Sequence, residues 1–153
     1  MMNNYFFRDF KSNDYAEVID LWEKTGLGNK MRGDDLETIE LSINLGGKFI
    51  IMEEISSQKI IGTSWMTFDG RRIHLHHFGI DPEYQGRKLF IPLIKKTLRF
   101  ARDKNVQIKL EVHKDNLQAI KLYTKNHFKY LGDYKIFIIR DVKELKDIGD
   151  DQE

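Results

Sequence analysis

The spacing of apolar residues changes along the chain, and each change marks a different kind of element. Near the start, Tyr15, Val18 and Trp22 fall at i, i+3 and i+7, the spacing of one buried helix face. This kind of spacing predicts four helices: residues 14–24, a segment from Asp34 or Asp35 to Gly46, Lys88–Asp103 and Asn116–Lys125. Alternating or continuous apolar runs predict six to seven strands: Tyr5–Phe10, Lys48–Glu54, Lys59–Phe68, Arg72–Ile80, Val106–Val112, Phe128–Leu131 and Tyr134–Arg140. The pattern predicts an α+β domain over residues 1–141, followed by an acidic tail, 142–153, that frays.

Composition narrows the class of protein. A chain of 153 residues, 41% hydrophobic and 12% aromatic, can bury one core. A net charge of +1 supplies no basic face, so we expect no nucleic-acid partner. The absence of cysteine excludes disulfides and thiolate metal sites, and it fits a cytoplasmic location. No apolar run approaches about 18 residues and the start has no signal-peptide pattern, so we expect no membrane partner.

The most informative stretch covers residues 74–90. An apolar strand closes on Asp81-Pro82, a short polar turn follows, and Gln85-Gly86-Arg87 leads into a helical pattern. The first N–H groups of a helix have no partner within the helix, and the helix dipole is positive at that end. Such a turn is therefore a ready site for an anion.

A second stretch, residues 111–128, places Asn116, Ile120 and Tyr123 on one face of a helix. Together the two stretches resemble the Gcn5-related N-acetyltransferase (GNAT) family, in particular the enzymes that acetylate ribosomal-protein alanine. The family's acetyl-CoA motif is Gln/Arg-x-x-Gly-x-Gly/Ala, and its later motif is Asn-x-x-Ala-x-x-x-Tyr followed by Gly-Phe. The resemblance spans roughly Tyr5 to Arg140, and the later motif is matched by Asn116, Ala119, Tyr123 and Phe128.

The resemblance implies that acetyl-CoA is the co-substrate. The residues it implies for acetyl-CoA binding are Phe78, Gly79, Ile80, Gln85, Gly86, Arg87, Lys88, Leu89, Phe90, Asn116 and Tyr123. In the family, the strand of Gly79 splays from the next strand and pairs its free backbone groups with pantetheine, and a strand glycine lets a ligand come close. Lys88 stands at the motif's first glycine and Phe90 at its final Gly/Ala, while His127 replaces the glycine before Phe128.

The resemblance also implies the proton transfers. Tyr123 matches the tyrosine that protonates the departing thiolate. Two candidates for the base remain: the pair His74 and His76, as in serotonin-type N-acetyltransferases, or Glu111, as in the ribosomal-protein-alanine enzymes. Strand alternation predicts that His74 and His76 share one face and that His77, on the other, is structural. No carboxylate pair or cysteine completes a metal site, so we expect none.

The implied fold is a mixed sheet of about six to seven strands flanked by about four helices. The implied function is transfer of acetyl from acetyl-CoA to a primary amine by direct attack in a ternary complex. The acceptor is a small-molecule amine or an amine of a peptide or protein, and the enzyme is a monomer or homodimer. The alternative is a non-catalytic domain of the same fold that binds CoA or a protein partner.

Overall fold

The chain forms one mixed sheet with helices on both of its faces. The computed structural model describes residues 3–28 and 32–145. Its strands are β1 (Tyr5–Asp9), β2 (Lys48–Glu54), β3 (Ile60–Phe68), β4 (Arg72–Ile80) and β5 (Gln107–Leu110). Its helices are α1 (Tyr15–Thr25), α2 (Leu36–Asn44), α3 (Phe90–Lys104) and α4 (Leu117–Lys125). The predicted tail begins with a 3₁₀ turn, Val142–Leu145, and residues 146–153 lie outside the described residues, as do 29–31 of the loop after α1.

The strands lie in the order β1-β2-β3-β4-β5. The first four pair antiparallel, and β5 pairs parallel with β4. The hairpin signal at Asp69-Gly70 is confirmed: the Asp69 carboxylate accepts the N–H groups of Arg71 and Arg72, and Gly70 takes a positive φ of 88°. Because β5 follows a helical crossover, its parallel direction agrees with ordinary connection rules.

Each face of the sheet buries its own core. The core on the α3 face contains Met66, Leu75 and Ile94. Pro92 lies in the first turn of α3, where the N–H that proline lacks would have no helical partner. The face under α1 and α2 contains Trp22 and Trp65, which stack with ring centroids 5.8 Å apart. Full burial of each such side chain stabilises the fold by roughly 1.5–3 kcal/mol.

Within the described ranges, no helix combines the length and apolar content that a membrane crossing requires.

A β-bulge in β4 changes the predicted face of one histidine. Ser64 pairs with Phe78 and Met66 with Leu75, so the single residue between them on β3 opposes His76 and His77 on β4. The extra residue shifts the alternation by one position. His76 and His77 therefore lie on the same side, both within ring contact of Trp65, and the prediction that His77 faces away from His74 and His76 is wrong.

The predicted six to seven strands are too many. The sheet has five, and the segments Phe128–Leu131 and Tyr134–Arg140 pair with no strand in the described part of the chain. Their composition is that of strands, but a strand forms only where a neighbour satisfies its backbone groups. The predicted strand Val106–Val112 is also shorter, because it pairs only over Gln107–Leu110.

Candidate active site

The second half of β4 has a free backbone edge. β5 pairs with β4 only from Arg72 to Leu75, so residues 76–80 have no strand neighbour on the β5 side in the described chain. This is the splay that the family resemblance implied for Phe78, Gly79 and Ile80. Packing also favours glycine at position 79, because a Cβ atom there would lie only 2.8 Å from Leu27 Cδ1. On that face the glycine accommodates the loop after α1, not a ligand.

Asp81 fixes the turn that follows β4. Its carboxylate is 1% exposed, accepts the Glu83 N–H at 2.9 Å and lies 3.2 Å from Lys59 Nζ. The side chain of Gln85 folds back, and its Nε2 donates to the Ile80 carbonyl at 3.1 Å. The entrance to the loop is thereby tied to the end of the strand, and sequence reasoning had assigned Asp81 no such role.

A run of unused backbone donors follows. The N–H groups of five successive residues, Gly86–Phe90, find no acceptor among the residues that the structure describes. They lie at the start of α3, a helix of 15 residues, beside the exposed cations Arg87 and Lys88. Free N–H groups, a helix N-terminus and two cations together favour a phosphate group.

The two replaced motif positions differ in conformation: Lys88 takes one that glycine favours, and Phe90 is the first residue of α3. Lys88 adopts φ +59°, the left-handed region that glycine enters most easily. Phe90 is half-buried and packs on the α3-face core, with its ring 6.1 Å from that of Phe78. Lysine therefore replaces glycine at position 88 while the backbone stays in the left-handed region, and the Phe90 ring contributes to the core.

We expect Lys88→Gly to stabilise the protein by up to about 1 kcal/mol, because a side chain in the left-handed region costs roughly 1–2 kcal/mol and glycine loses part of that gain in chain entropy. Acetyl-CoA should bind at least as tightly, since a phosphate could approach the bare backbone more closely. Gln58→Gly is the matched control, because Gln58 has φ +58° in a different exposed turn, the one between β2 and β3. Denaturant unfolding and calorimetric titration measure both effects. Weaker acetyl-CoA binding by Lys88→Gly alone would show that the Lys88 cation outweighs its backbone.

Tyr123 lies in an aromatic cluster on the α3 face. Its ring is 6.0 Å from Phe78 and 5.5 Å from Phe128, both in edge-to-face geometry. Burial raises the pKa of Tyr123 to about 12, because the phenolate would lose its hydration there. The hydroxyl therefore remains protonated throughout the physiological range and can serve as a proton donor.

The ends of α4 place Tyr123. Asn116 caps the helix, since its Oδ1 accepts the Ala119 N–H at 3.2 Å. At the other end His127 adopts φ +73°, where the family has glycine, and the Phe128 N–H reaches the Tyr123 carbonyl at 3.1 Å. As at Lys88, a residue other than glycine stands at a glycine position of the motif and adopts a left-handed backbone conformation.

His74 and His76 form a stacked pair on the opposite face of the sheet. Their ring centroids are 4.3 Å apart and nearly parallel, and His76 Nε2 lies 2.6 Å from the Thr67 hydroxyl. Burial against the sheet lowers the pKa of His76 to about 4, and the neighbouring imidazoles lower it further in the same direction. Part of the His76 ring remains exposed to solvent, which reduces the cost of protonating it. Burial also lowers the pKa of His74, and the nearby Glu111 carboxylate opposes that shift.

His77 is a structural residue, as predicted, despite its changed face. Its ring lies between Trp22 and Trp65, at centroid distances of 4.2 and 5.2 Å, and Nε2 is 3.0 Å from the Asp34 carboxylate. Burial lowers the pKa of His77 even though Asp34 opposes the shift. The pair joins β4 to the segment that precedes α2, a tertiary contact that the sequence pattern did not indicate.

Glu111 follows directly after β5 and is exposed. The Glu111 carboxylate is close enough to His74 to raise its pKa, so the two candidate bases are neighbours where β4 pairs with β5. Tyr123 packs with Phe78 on the α3 face, whereas His76 contacts Trp65 on the other. The candidate acid and the histidine pair are thus separated by β4 itself, and a molecule that meets both must lie at its free edge.

Comparison with known proteins adds three findings. A sequence model of the Acetyltransferase (GNAT) family matches residues 15–128. The curated acetyltransferase SG1711 of Sodalis glossinidius (strain morsitans) is 27% identical over 123 residues, which are 80% of this chain and 85% of that protein. Two solved structures share the fold at lower identity.

The first is the ribosomal-protein-S18-alanine N-acetyltransferase of Escherichia coli, with a TM-score of 0.69, 16% identity and coverage of 82% of this chain and 77% of that one. The second is a predicted acetyltransferase of Clostridium acetobutylicum, solved with acetyl-CoA, with a TM-score of 0.68, 17% identity and coverage of 92% and 97%. The family match covers about three quarters of the chain, and proteins of this family use acetyl-CoA. The chain therefore belongs to the acetyltransferase (GNAT) family and is an acetyl-CoA-dependent N-acyltransferase.

Proposed function

We propose that the protein transfers the acetyl group of acetyl-CoA to a primary amine by direct attack of the amine on the thioester. The observation that carries the proposal is the run of free N–H groups in Gly86–Phe90 next to the free edge of β4. The first feature suits a pyrophosphate and the second suits the amide groups of pantetheine. With both features occupied, the thioester end of such a molecule would lie beside β4.

The chain supplies the binding groups from its backbone. The N–H groups of Gly86–Phe90 would hold the pyrophosphate, with Arg87 and Lys88 adding positive charge. The free edge of Phe78–Ile80 would pair with pantetheine. We assign stabilisation of the developing oxyanion to a strand N–H, that of Phe78.

The reaction forms an N–C bond and breaks the C–S bond, so one proton must leave the amine and one must reach the sulfur. Tyr123, whose pKa is raised to about 12 by burial, would give its proton to the departing thiolate. Glu111, exposed at the end of β5, is the stronger candidate to receive the amine proton. His76 is the weaker one, because a pKa near 4 gives it little driving force and Thr67 already holds its Nε2.

The acceptor is a primary amine, either of a small molecule or of a peptide or protein. The name of the Escherichia coli neighbour specifies a protein alanine. An exposed Glu111 suits either choice, since it leaves the acceptor side accessible to a large substrate.

A non-catalytic domain that binds CoA or a protein partner is the alternative. One feature of the sequence favours this alternative: Lys88 and Phe90 stand where the acetyl-CoA motif has glycine or alanine. Lys88, however, takes the left-handed conformation that glycine favours, the Phe90 ring packs towards Phe78, and Tyr123 and Glu111 are both present. We therefore prefer the enzyme.

We expect saturating acetyl-CoA to raise the melting temperature by several degrees. Binding to the native state alone at about 100 times Kd adds roughly 2.7 kcal/mol, and a domain of this size gains roughly 2–4 °C per kcal/mol. Thermal unfolding with and without acetyl-CoA measures the shift, with acetate as the control ligand. A screen of polyamines, amino acids, aminoglycosides and peptide N-termini, followed by thiol release and product mass, tests turnover. A melting shift without any thiol release would support the non-catalytic alternative, and no shift at millimolar acetyl-CoA would contradict the binding site itself.

A further inference from the structure

The charges of the chain are distributed unevenly, and α3 has most of the positive excess. Residues 87–104, which are the end of the loop and α3, contain seven Lys and Arg residues and one carboxylate, that of Asp103, so their net charge is +6. The other residues contain 18 Lys and Arg and 23 Asp and Glu, a net charge of −5, and the two parts together give the total of +1. The nearly neutral chain therefore includes one strongly basic helix, which its total charge does not indicate.

Helix geometry places three of these cations on the solvent side of α3. Lys95, Arg99 and Arg102 recur at i, i+4 and i+7, and all three are exposed. Lys95 and Arg99 make no ion pair with any residue that the structure describes, and Arg102 pairs with its neighbour Asp103 at 2.9 Å. We call Lys95, Arg99 and Arg102 the basic stripe. The opposite side of α3 is buried, through Leu93, Ile94, Thr97 and Ala101.

The basic stripe leads to the loop that precedes α3. The helix begins at Phe90, and at about 1.5 Å per residue Lys95 lies roughly 8 Å along the axis from that end. Side chains on a helix lean towards its N-terminus, so the Lys95 ammonium lies nearer still to the loop. Arg87 and Lys88, both exposed, continue the positive charge into the loop itself. The positive surface is thus continuous from the middle of α3 to the free N–H groups of Gly86–Phe90.

We propose that the basic stripe guides acetyl-CoA to the Gly86–Phe90 loop, and that it thereby selects acyl donors that have a phosphorylated nucleotide; this inference rests on the function proposed above. Acetyl-CoA has about four negative charges, of which its phosphate monoester alone supplies about 1.5 to 2. A surface of one sign beside a binding site raises the association rate of an oppositely charged ligand by roughly 10- to 1,000-fold. The pantetheine end of the donor is uncharged, so this selection acts through its nucleotide end.

The short length of the stripe fits a small polyanion. Lys95 to Arg102 span roughly 10 Å, which is about the Debye length in 0.1 M salt. The attraction is therefore strong close to the loop and weak beyond it. A nucleic acid would need phosphate contacts repeated along a longer basic face. The remainder of the chain, with its net charge of −5, would repel such a partner.

Association rates test the proposal. Stopped-flow mixing with a fluorescent CoA thioether measures kon and koff separately. Lys95→Glu combined with Arg99→Glu should lower kon roughly tenfold or more at an ionic strength of about 0.01 M, where the Debye length is about 30 Å, and less than about twofold at about 0.5 M. Because both side chains are exposed, circular dichroism should be unchanged. The value of koff should stay within about twofold, since the stripe acts on the approach of the ligand.

Two controls separate guidance from other effects of charge. Arg71→Glu combined with Lys125→Glu changes the total charge equally at two exposed positions outside α3, and it should leave kon within about twofold. The same dye on pantetheine, which lacks every phosphate, should associate equally with all three proteins. Equal slowing of CoA binding by both double variants would assign the effect to total charge. A loss confined to koff would make the stripe a holding site. Either result would overturn the proposal.

The same measurement distinguishes failure of this inference from failure of the proposed function. A wild type that binds the CoA thioether with a kon insensitive to salt and to Lys95→Glu with Arg99→Glu would keep its acetyl-CoA site and refute guidance alone. A wild type that binds no CoA thioether at all would refute the proposed function, and this inference with it.

Discussion

Replacing Tyr123 by phenylalanine is expected to lower kcat roughly a hundred- to ten-thousandfold, the usual range for loss of one acid–base group. The phenylalanine ring retains the contacts with Phe78 and Phe128, so the affinity for acetyl-CoA should remain nearly unchanged. Because the pKa of Tyr123 is raised to about 12, its acid form is present at all ordinary pH values and would be lost only as pH rises through about 12. No alkaline decline of kcat below about pH 10 should therefore come from this residue.

The control for this variant is Tyr84→Phe. Tyr84 lies just before the Gly86–Phe90 loop, and its hydroxyl donates a hydrogen bond to the Glu54 carboxylate at 2.8 Å. The Tyr84→Phe variant therefore also removes a tyrosine hydroxyl, but one that has a structural partner. It should cost some stability, because the hydrogen bond to Glu54 is lost, and it should leave kcat within about twofold. An unchanged kcat for Tyr123→Phe, with chemistry shown to limit the rate, would remove Tyr123 from the mechanism.

The second large effect is expected at Glu111. Glu111→Gln should lower kcat/KM by roughly a hundredfold or more, within the range for a general base, while His76→Gln should cost tenfold or less. The difference follows from the lowered pKa of His76 and from its bond to Thr67. Asp115→Asn is the control, because it neutralises another exposed carboxylate four residues further along.

The pH profile provides an independent measurement. The pKa values of His74, His76 and His77 all lie below the ordinary 6.5, so these rings are neutral above that pH. A His76 base would then give a rise of kcat/KM through about pH 4, and a His74 base would give its rise below pH 6.5, so neither histidine gives a limb centred between pH 6.5 and 8. A limb in that interval that His76→Gln abolishes would contradict this assignment and make His76 the base.

The elements with regular patterns were predictable from the sequence. The strands β2, β3 and β4 and all four helices follow from periodicity and caps, such as Asp35 accepting the Thr38 N–H at 2.8 Å. The C-terminal strands were overpredicted for a physical reason. Apolar composition indicates what a segment would form with a neighbour, and the neighbour of Tyr134–Arg140 is missing from the described chain.

The site was partly predictable. The family motifs named the loop and Tyr123, but they could not locate the bulge at His76-His77, because register depends on the opposing strand, here at Trp65. Asp81 and the pair of His77 with Asp34 were missed for a similar reason: they join segments far apart in sequence. The roles of the Gly86–Phe90 loop, Tyr123, Glu111 and the histidines stay predictions.

The left-handed backbone at Lys88 and His127 has a consequence for how such chains diverge. A non-glycine residue in that region costs about 1–2 kcal/mol, an amount that a domain with 5–15 kcal/mol of stability can tolerate. The fold therefore tolerates a non-glycine side chain at either position, provided that the left-handed dihedral angle is kept. Distant relatives of this chain should be found in which lysine, asparagine or histidine alternates with glycine at both positions, and each reversion to glycine should be close to neutral for function.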